Sequence, residues 1–93
     1  MQKSVDYSIR AENNLKKIKA YIEQDNPVAA EKVIAFIFKS ADELAQFPEL
    51  GKIGERAGTR ELVITKYPYT IIYKLTSARV IVIAVLHQSQ VIK

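Results

Sequence analysis

Three features of the 93-residue chain predict an α+β domain. The hydrophobic period changes early, from two to about 3.6 residues. Two stretches then carry the helical period in succession, and strand-like periods follow through the second half. Residues 1–93 are expected to form a single domain, because a chain of this length has no room for a second core. It contains no cysteine, so neither disulfides nor thiolate metal sites can staple it. The core, helped by a partner, must supply the stability.

Each element has its own signal. Val5, Tyr7 and Ile9 alternate with polar residues and predict a short first strand. From about Ser8 the period changes: Ala11, Leu15, Ile18 and Ile22 mark one face of a helix, and Lys16, Lys17, Lys19 and Glu23 its solvated side. Asn26 is placed to cap a second helix, with Pro27 in the first turn, where no amide donor is needed. That helix is predicted to end near Gln46, ahead of Pro48. Its stripe is Ala30, Val33, Ile34, Ile37, Ala41 and Leu44, with Phe36 and Phe38 to either side. Such girth predicts packing against both the first helix and the sheet.

Residues 51–61, GKIGERAGTRE, hold all three glycines and predict a connector with positive-φ turns. Residues 60–65 form the next strand. A turn at Tyr67 and Pro68 leads into a strand over 69–75, where Tyr69, Ile71, Tyr73 and Leu75 share a face. The last strand, 79–87, is apolar on both faces, with Ile81, Ile83 and Val85 on one and Val80, Val82, Ala84 and Leu86 on the other. A strand buried on both sides belongs inside its sheet. Two helices cover only one face, and residues 88–93 have little to add on the other, so a partner is expected there.

The net charge of +4 is unevenly placed. Residues 1–46 carry seven basic and seven acidic residues, whereas residues 47–93 carry seven basic residues against Glu49, Glu55 and Glu61. The whole excess lies in the second half, which suits an acidic partner as well as simple solubility. No apolar run approaches the roughly 20 residues that span a bilayer, and the N-terminus lacks a signal-peptide core. A cytoplasmic protein without membrane contact is expected.

The glycine-rich stretch is not a P-loop. The interval between Gly54 and Gly58 is one residue short, Thr-Arg follows instead of Lys-Thr, and a helix precedes where a strand is required. It does aim Lys52, Arg56 and Arg60 outward, either as solvated charges or as a binding rim. His87 is the sole histidine and has no companion ligands for a metal. It suits either general acid–base work or an interfacial contact. Tyr67, Tyr69 and Tyr73 suit either base stacking or the core.

The ordered set NPVAA, FPELGK, GTREL, YPYTIIYK and VIVIAVLH, spanning Ala11 to His87, resembles the RelE/ParE superfamily, the toxins of bacterial type II toxin–antitoxin systems. The resemblance implies a β-α-α-β-β-β order, with a helical hairpin packed on a small, mostly antiparallel sheet. It also implies a cognate antitoxin whose acidic C-terminal segment wraps the toxin, with operator DNA reached only through that antitoxin. No metal or cofactor is implied. RelE-like members cut mRNA on the ribosome; ParE-like members inhibit DNA gyrase.

Thr70 stands where RelE-type relatives often have arginine, and the tail after His87 lacks an aromatic residue and ends in Lys93. The NP-x-AA helix start and the GTREL–YPY pairing look more like the ParE branch, although Gln90 stands where many of its members carry arginine. Three functions therefore stand, the first favoured. One is a gyrase-poisoning toxin contacting target or antitoxin through Lys52, Arg56, Arg60, Arg79 and His87. Another is a metal-independent endoribonuclease using Arg60, Arg79 or His87. The third is a degenerate member that binds only its antitoxin.

Overall fold

The computed structural model describes residues 2–91. Strand β1 (Ser4–Tyr7) is followed by helices α1 (Ile9–Glu23) and α2 (Pro27–Glu43). Strands β2 (Lys52–Ile53), β3 (Thr59–Ile64), β4 (Tyr69–Leu75) and β5 (Arg79–His87) come next, followed by a 3₁₀ turn (Gln88–Gln90). The sheet order is β1-β5-β4-β3-β2, antiparallel throughout except for the β1–β5 pair. Lys93, the one cation of the predicted tail, lies outside the described residues.

Both helices start where a side chain satisfies their free amides. Ser8 Oγ accepts from Ala11 N–H at 3.0 Å, and Asn26 Oδ1 accepts from Ala29 N–H at 3.0 Å ahead of Pro27. Ile9, expected to continue the first strand, instead opens α1 and points to solvent. The expected helical stripes meet the sheet: Ala11, Leu15, Val33, Ile37, Ala41 and Leu44 pack with Ile71, Tyr73, Val80 and Val82. Phe36 and Phe38 reach the sheet edge-on, against Tyr67 at 5.6 Å and Tyr7 at 5.3 Å between ring centroids.

β5 departs from simple alternation. Val82 lies opposite Tyr73 and Ala84 opposite Ile72, so Ile83 is an extra residue, a β-bulge. Beyond it the parity reverses. Val85 joins Val80 and Val82 in the core, while Ala84 and Leu86 turn to the other face with Ile72 and Thr70. The expected grouping of Val85 with Ile81 and Ile83 is thereby corrected. The bulge sits where four-residue β1 ends, and α1 takes over the edge of β5. Ser8 N–H donates to Val82 O at 2.9 Å, Ser8 Oγ–H to Ile83 O at 2.7 Å, and Val85 N–H to Asn14 Oδ1 at 3.1 Å.

The glycine-rich connector is also more ordered than expected. It contains β2, a fifth strand paired through Lys52–Glu61 and Ile53–Arg60. Only Gly58 has positive φ, at 80°. Gly51 and Gly54 serve close approach instead: a Cβ on Gly51 would lie 2.8 Å from both Glu61 O and Tyr73 Oη, and one on Gly54 would lie 2.6 Å from Thr59 Oγ1. Tyr73 pins the segment, donating to Pro48 O at 2.7 Å and accepting from Gly51 N–H at 3.0 Å. Burial pushes its hydroxyl pKa up, partly offset by that amide.

Two outcomes are expected. Asn14→Ala leaves Val85 N–H without its acceptor and lowers unfolding free energy in urea by about 1–3 kcal/mol. Tyr7 Oη is buried without a hydrogen-bond partner, and burial, with the Asp42 charge adding to it, raises its pKa to about 12. The folded state therefore holds this proton more tightly than the unfolded state, whose value is about 10. The associated stability is complete below about pH 10 and is lost as pH rises towards 12. Tyr7→Phe should flatten that alkaline slope without costing stability at neutral pH, as read from melting temperatures between pH 7 and 11.

Candidate functional site

The face of the sheet turned away from the helices is built from Glu61 and Val63 of β3, Thr70 and Ile72 of β4, and Ala84 and Leu86 of β5. Residues 88–91 cross part of it, with Gln88, Gln90 and Val91 lining its clefts, so this stretch gives more cover than expected of the tail. The tail is held by a reciprocal cap. His87 Nδ1 accepts from Ser89 N–H at 3.1 Å, and Gln90 Oε1 accepts from His87 N–H at 3.0 Å. An Nδ1 that accepts an amide proton leaves the neutral ring's own proton on Nε2.

Two clefts remain, of about 370 and 270 Å³, with Glu55, Glu61 and Val91 lining both. Lys52, Ile53 and Val63 flank the first; Arg10, Arg56, Ile72 and Leu86 flank the second. The surface is an apolar floor whose rim carries Lys52, Arg56 and Arg10, with the exposed Glu55 among them. Val63 is 44% exposed and Ile53 is 77% exposed, so apolar side chains stand uncovered beside the first cleft.

The predicted side chains divide. Lys52 and Arg56 are exposed and come to the same face. Arg60 is not aimed outward: it is half-buried, lies opposite Tyr73, and donates from Nη1 to Gly51 O at 2.8 Å. Arg79 faces Asp6 at 3.4 Å, at the other end of β5 from His87. Eight strand steps separate Arg79 from His87, about 26 Å of extended chain. The structure thus gathers Lys52 and Arg56, and leaves Arg60, Arg79 and His87 apart.

His87 is exposed, with its ring edge-on to Tyr69 at 5.6 Å. Tyr69 and Tyr73 are core residues, and burial raises the Tyr69 hydroxyl pKa, with Tyr21 adding to it. Tyr67 is half-buried beside Phe36, whose ring lies 5.0 Å from Lys66 Nζ. Sequence reasoning missed Arg10, which reaches the rim only because α1 crosses the edge of β5. It also missed Glu61 as a groove residue, and gave the tail no part. Among the described residues no helix is long and apolar enough to cross a membrane.

A hairpin of helices on one side of a mostly antiparallel sheet is the architecture of RelE/ParE superfamily toxins of type II toxin–antitoxin systems. Within that class the chain belongs to the family described as ParE toxin of type II toxin-antitoxin system, parDE, whose profile matches residues 5–92. It is 40% identical over 89 residues to Y4kP of Sinorhizobium fredii, a provisionally assigned toxin, covering 96% of this chain and 92% of that one. It is 34% identical over 86 residues to Toxin RelE2 of Caulobacter vibrioides, covering 92% and 96%.

Solved structures share the fold. The chromosomal ParDE system of P. aeruginosa superposes with a TM-score of 0.83 at 19% identity, covering 92% of this chain and 96% of that chain. The RelBE2 toxin–antitoxin complex of Mycobacterium tuberculosis gives 0.72 at 20% identity, covering 94% and 99%.

Proposed function

We propose that the chain halts growth by binding DNA gyrase and trapping it on cleaved DNA, and that a cognate antitoxin neutralises it by covering the open sheet face. The observation that carries the gyrase reading over mRNA cleavage is the dispersal of Arg60, Arg79 and His87. A nuclease that works without metal needs phosphate-binding cations and a proton-transfer group around one scissile bond. Here Arg60 holds the Gly51 carbonyl, Arg79 faces Asp6, and His87 caps the tail. Gyrase inhibition asks only for a surface. The antitoxin reading is supported by the apolar floor, the basic rim and the toxin–antitoxin complexes among the structural relatives.

In a cleavage assay with gyrase, ATP and supercoiled plasmid, the folded protein should make linear DNA accumulate after protease treatment. Absence of linear product would transfer the function to ribosome-dependent mRNA cleavage or, if mRNA also stays intact, to antitoxin binding alone.

Lys52 and Arg56 are proposed to attract the acidic antitoxin segment. Lys52→Glu combined with Arg56→Glu should slow association about tenfold or more and weaken its salt dependence, because rim charges act mainly on the encounter rate. Stopped-flow mixing at several salt concentrations measures this. Unchanged rates would exclude both cations from the encounter.

A further inference from the structure

Among the described residues, one largely buried carboxylate on the open face has no ionic partner. Glu61 is only 7% exposed, and it is the charged residue among the buried residues described. Its Oε2 accepts a single long bond from Glu55 N–H, at 3.3 Å. Among the described residues, neither ion pair involves it. Lys52, Arg56 and Arg10 flank the clefts it lines, and so does the acidic Glu55, yet all four are exposed to water. Gly54 leaves room for the Glu61 side chain, since a Cβ there would come within 3.3 Å of its Cγ and Oε2 atoms. A carboxylate can accept about four hydrogen bonds, and Glu61 makes one among the described residues, so acceptor positions remain open towards the clefts it lines.

The two clefts meet at this side chain, and the floor beside it is apolar, formed by Ile72, Ala84 and Leu86. We propose that Glu61 selects the partner by receiving an arginine from it. The bound segment of the antitoxin lays apolar side chains on that floor, sets its acidic residues against the basic rim, and delivers one guanidinium to the centre. Arginine fits better than lysine because its stem can cover the apolar floor while its fork supplies several donors to the open lone pairs. A segment acidic along its whole length would instead place a carboxylate against Glu61, which rejects it.

This assignment rests on the antitoxin reading of the open face, and the test separates the two. Calorimetric titration with the cognate antitoxin compares the wild-type chain with Glu61→Gln, a change of equal size whose amide oxygen can still accept from Glu55 N–H. With melting temperature showing the fold intact, the variant should bind about ten- to a hundredfold more weakly. In parallel, ethylguanidinium chloride is titrated into the isolated wild-type chain, with tetramethylammonium chloride as control. The Glu61 carboxyl carbon resonance should shift saturably with the first salt alone.

Equal antitoxin affinity of the two forms overturns the role of Glu61 and leaves the antitoxin reading standing. Failure of the wild-type chain to bind that antitoxin overturns the antitoxin reading. The guanidinium titration then decides Glu61 on its own: a saturable, salt-specific shift supports a guanidinium site, and a linear or shared response rejects it.

Discussion

The edge of β5 imposes the governing constraint on this fold. β5 is nine residues long and β1 only four, so half of the outer edge of β5 has no strand beside it. Buried amides and carbonyls cannot be left unpaired there. The chain solves this with α1, whose cap residue Ser8 serves Val82 and Ile83 and whose Asn14 serves Val85. The helix is thereby fixed against the sheet by directional bonds as well as by apolar packing. The bulge at Ile83 lets β5 change partners at the same point.

The character of the open face follows from that bulge. By reversing parity, it sends Val85 to the helices and leaves small Ala84 on the other side. Thr70 lies opposite Leu86, and neither Ala84 nor Thr70 projects far from the sheet. A shallow floor results, and the tail and the β2–β3 hairpin wall it on either side. The glycines belong to the same construction. Gly51 admits the Tyr73 hydroxyl on the helix side and Gly54 leaves room for Glu61 on the open side, so β2 lies close beside β3.

Much of the fold was legible because it rests on local chemistry. Asn26 and Pro27 announce α2, and the four-three-four spacing from Ala11 to Ile22 announces the inner face of α1. The face shared by Tyr69, Ile71 and Tyr73 is also as read. What alternation could not reveal is the bulge, because Ile83 is as good a strand residue as its neighbours and no glycine marks the break. The site was less legible. Lys52 and Arg56 reach the open face as solvated cations should, but Arg60 is drawn inward by a carbonyl nine residues earlier in the chain. Arg10 and Glu61 acquire their positions only through the crossing of α1 and the pairing of β3, which are tertiary facts.

The parallel pair of β1 and β5 has a consequence for how the chain comes into being. Ser4 lies beside Arg79, and the Lys3 ammonium reaches the carbonyls of Thr76 and Ser77 at 2.7 and 2.9 Å. The first strand made therefore waits for the last, and closing so long a loop is entropically slow. While the ribosome is still elongating, the helical hairpin can coil but has no β5 to rest against. A chain cut short before residue 79 lacks both the floor of the open face and the anchor for α1. The completed surface exists only once translation of the domain is essentially finished, so nascent fragments do not display it.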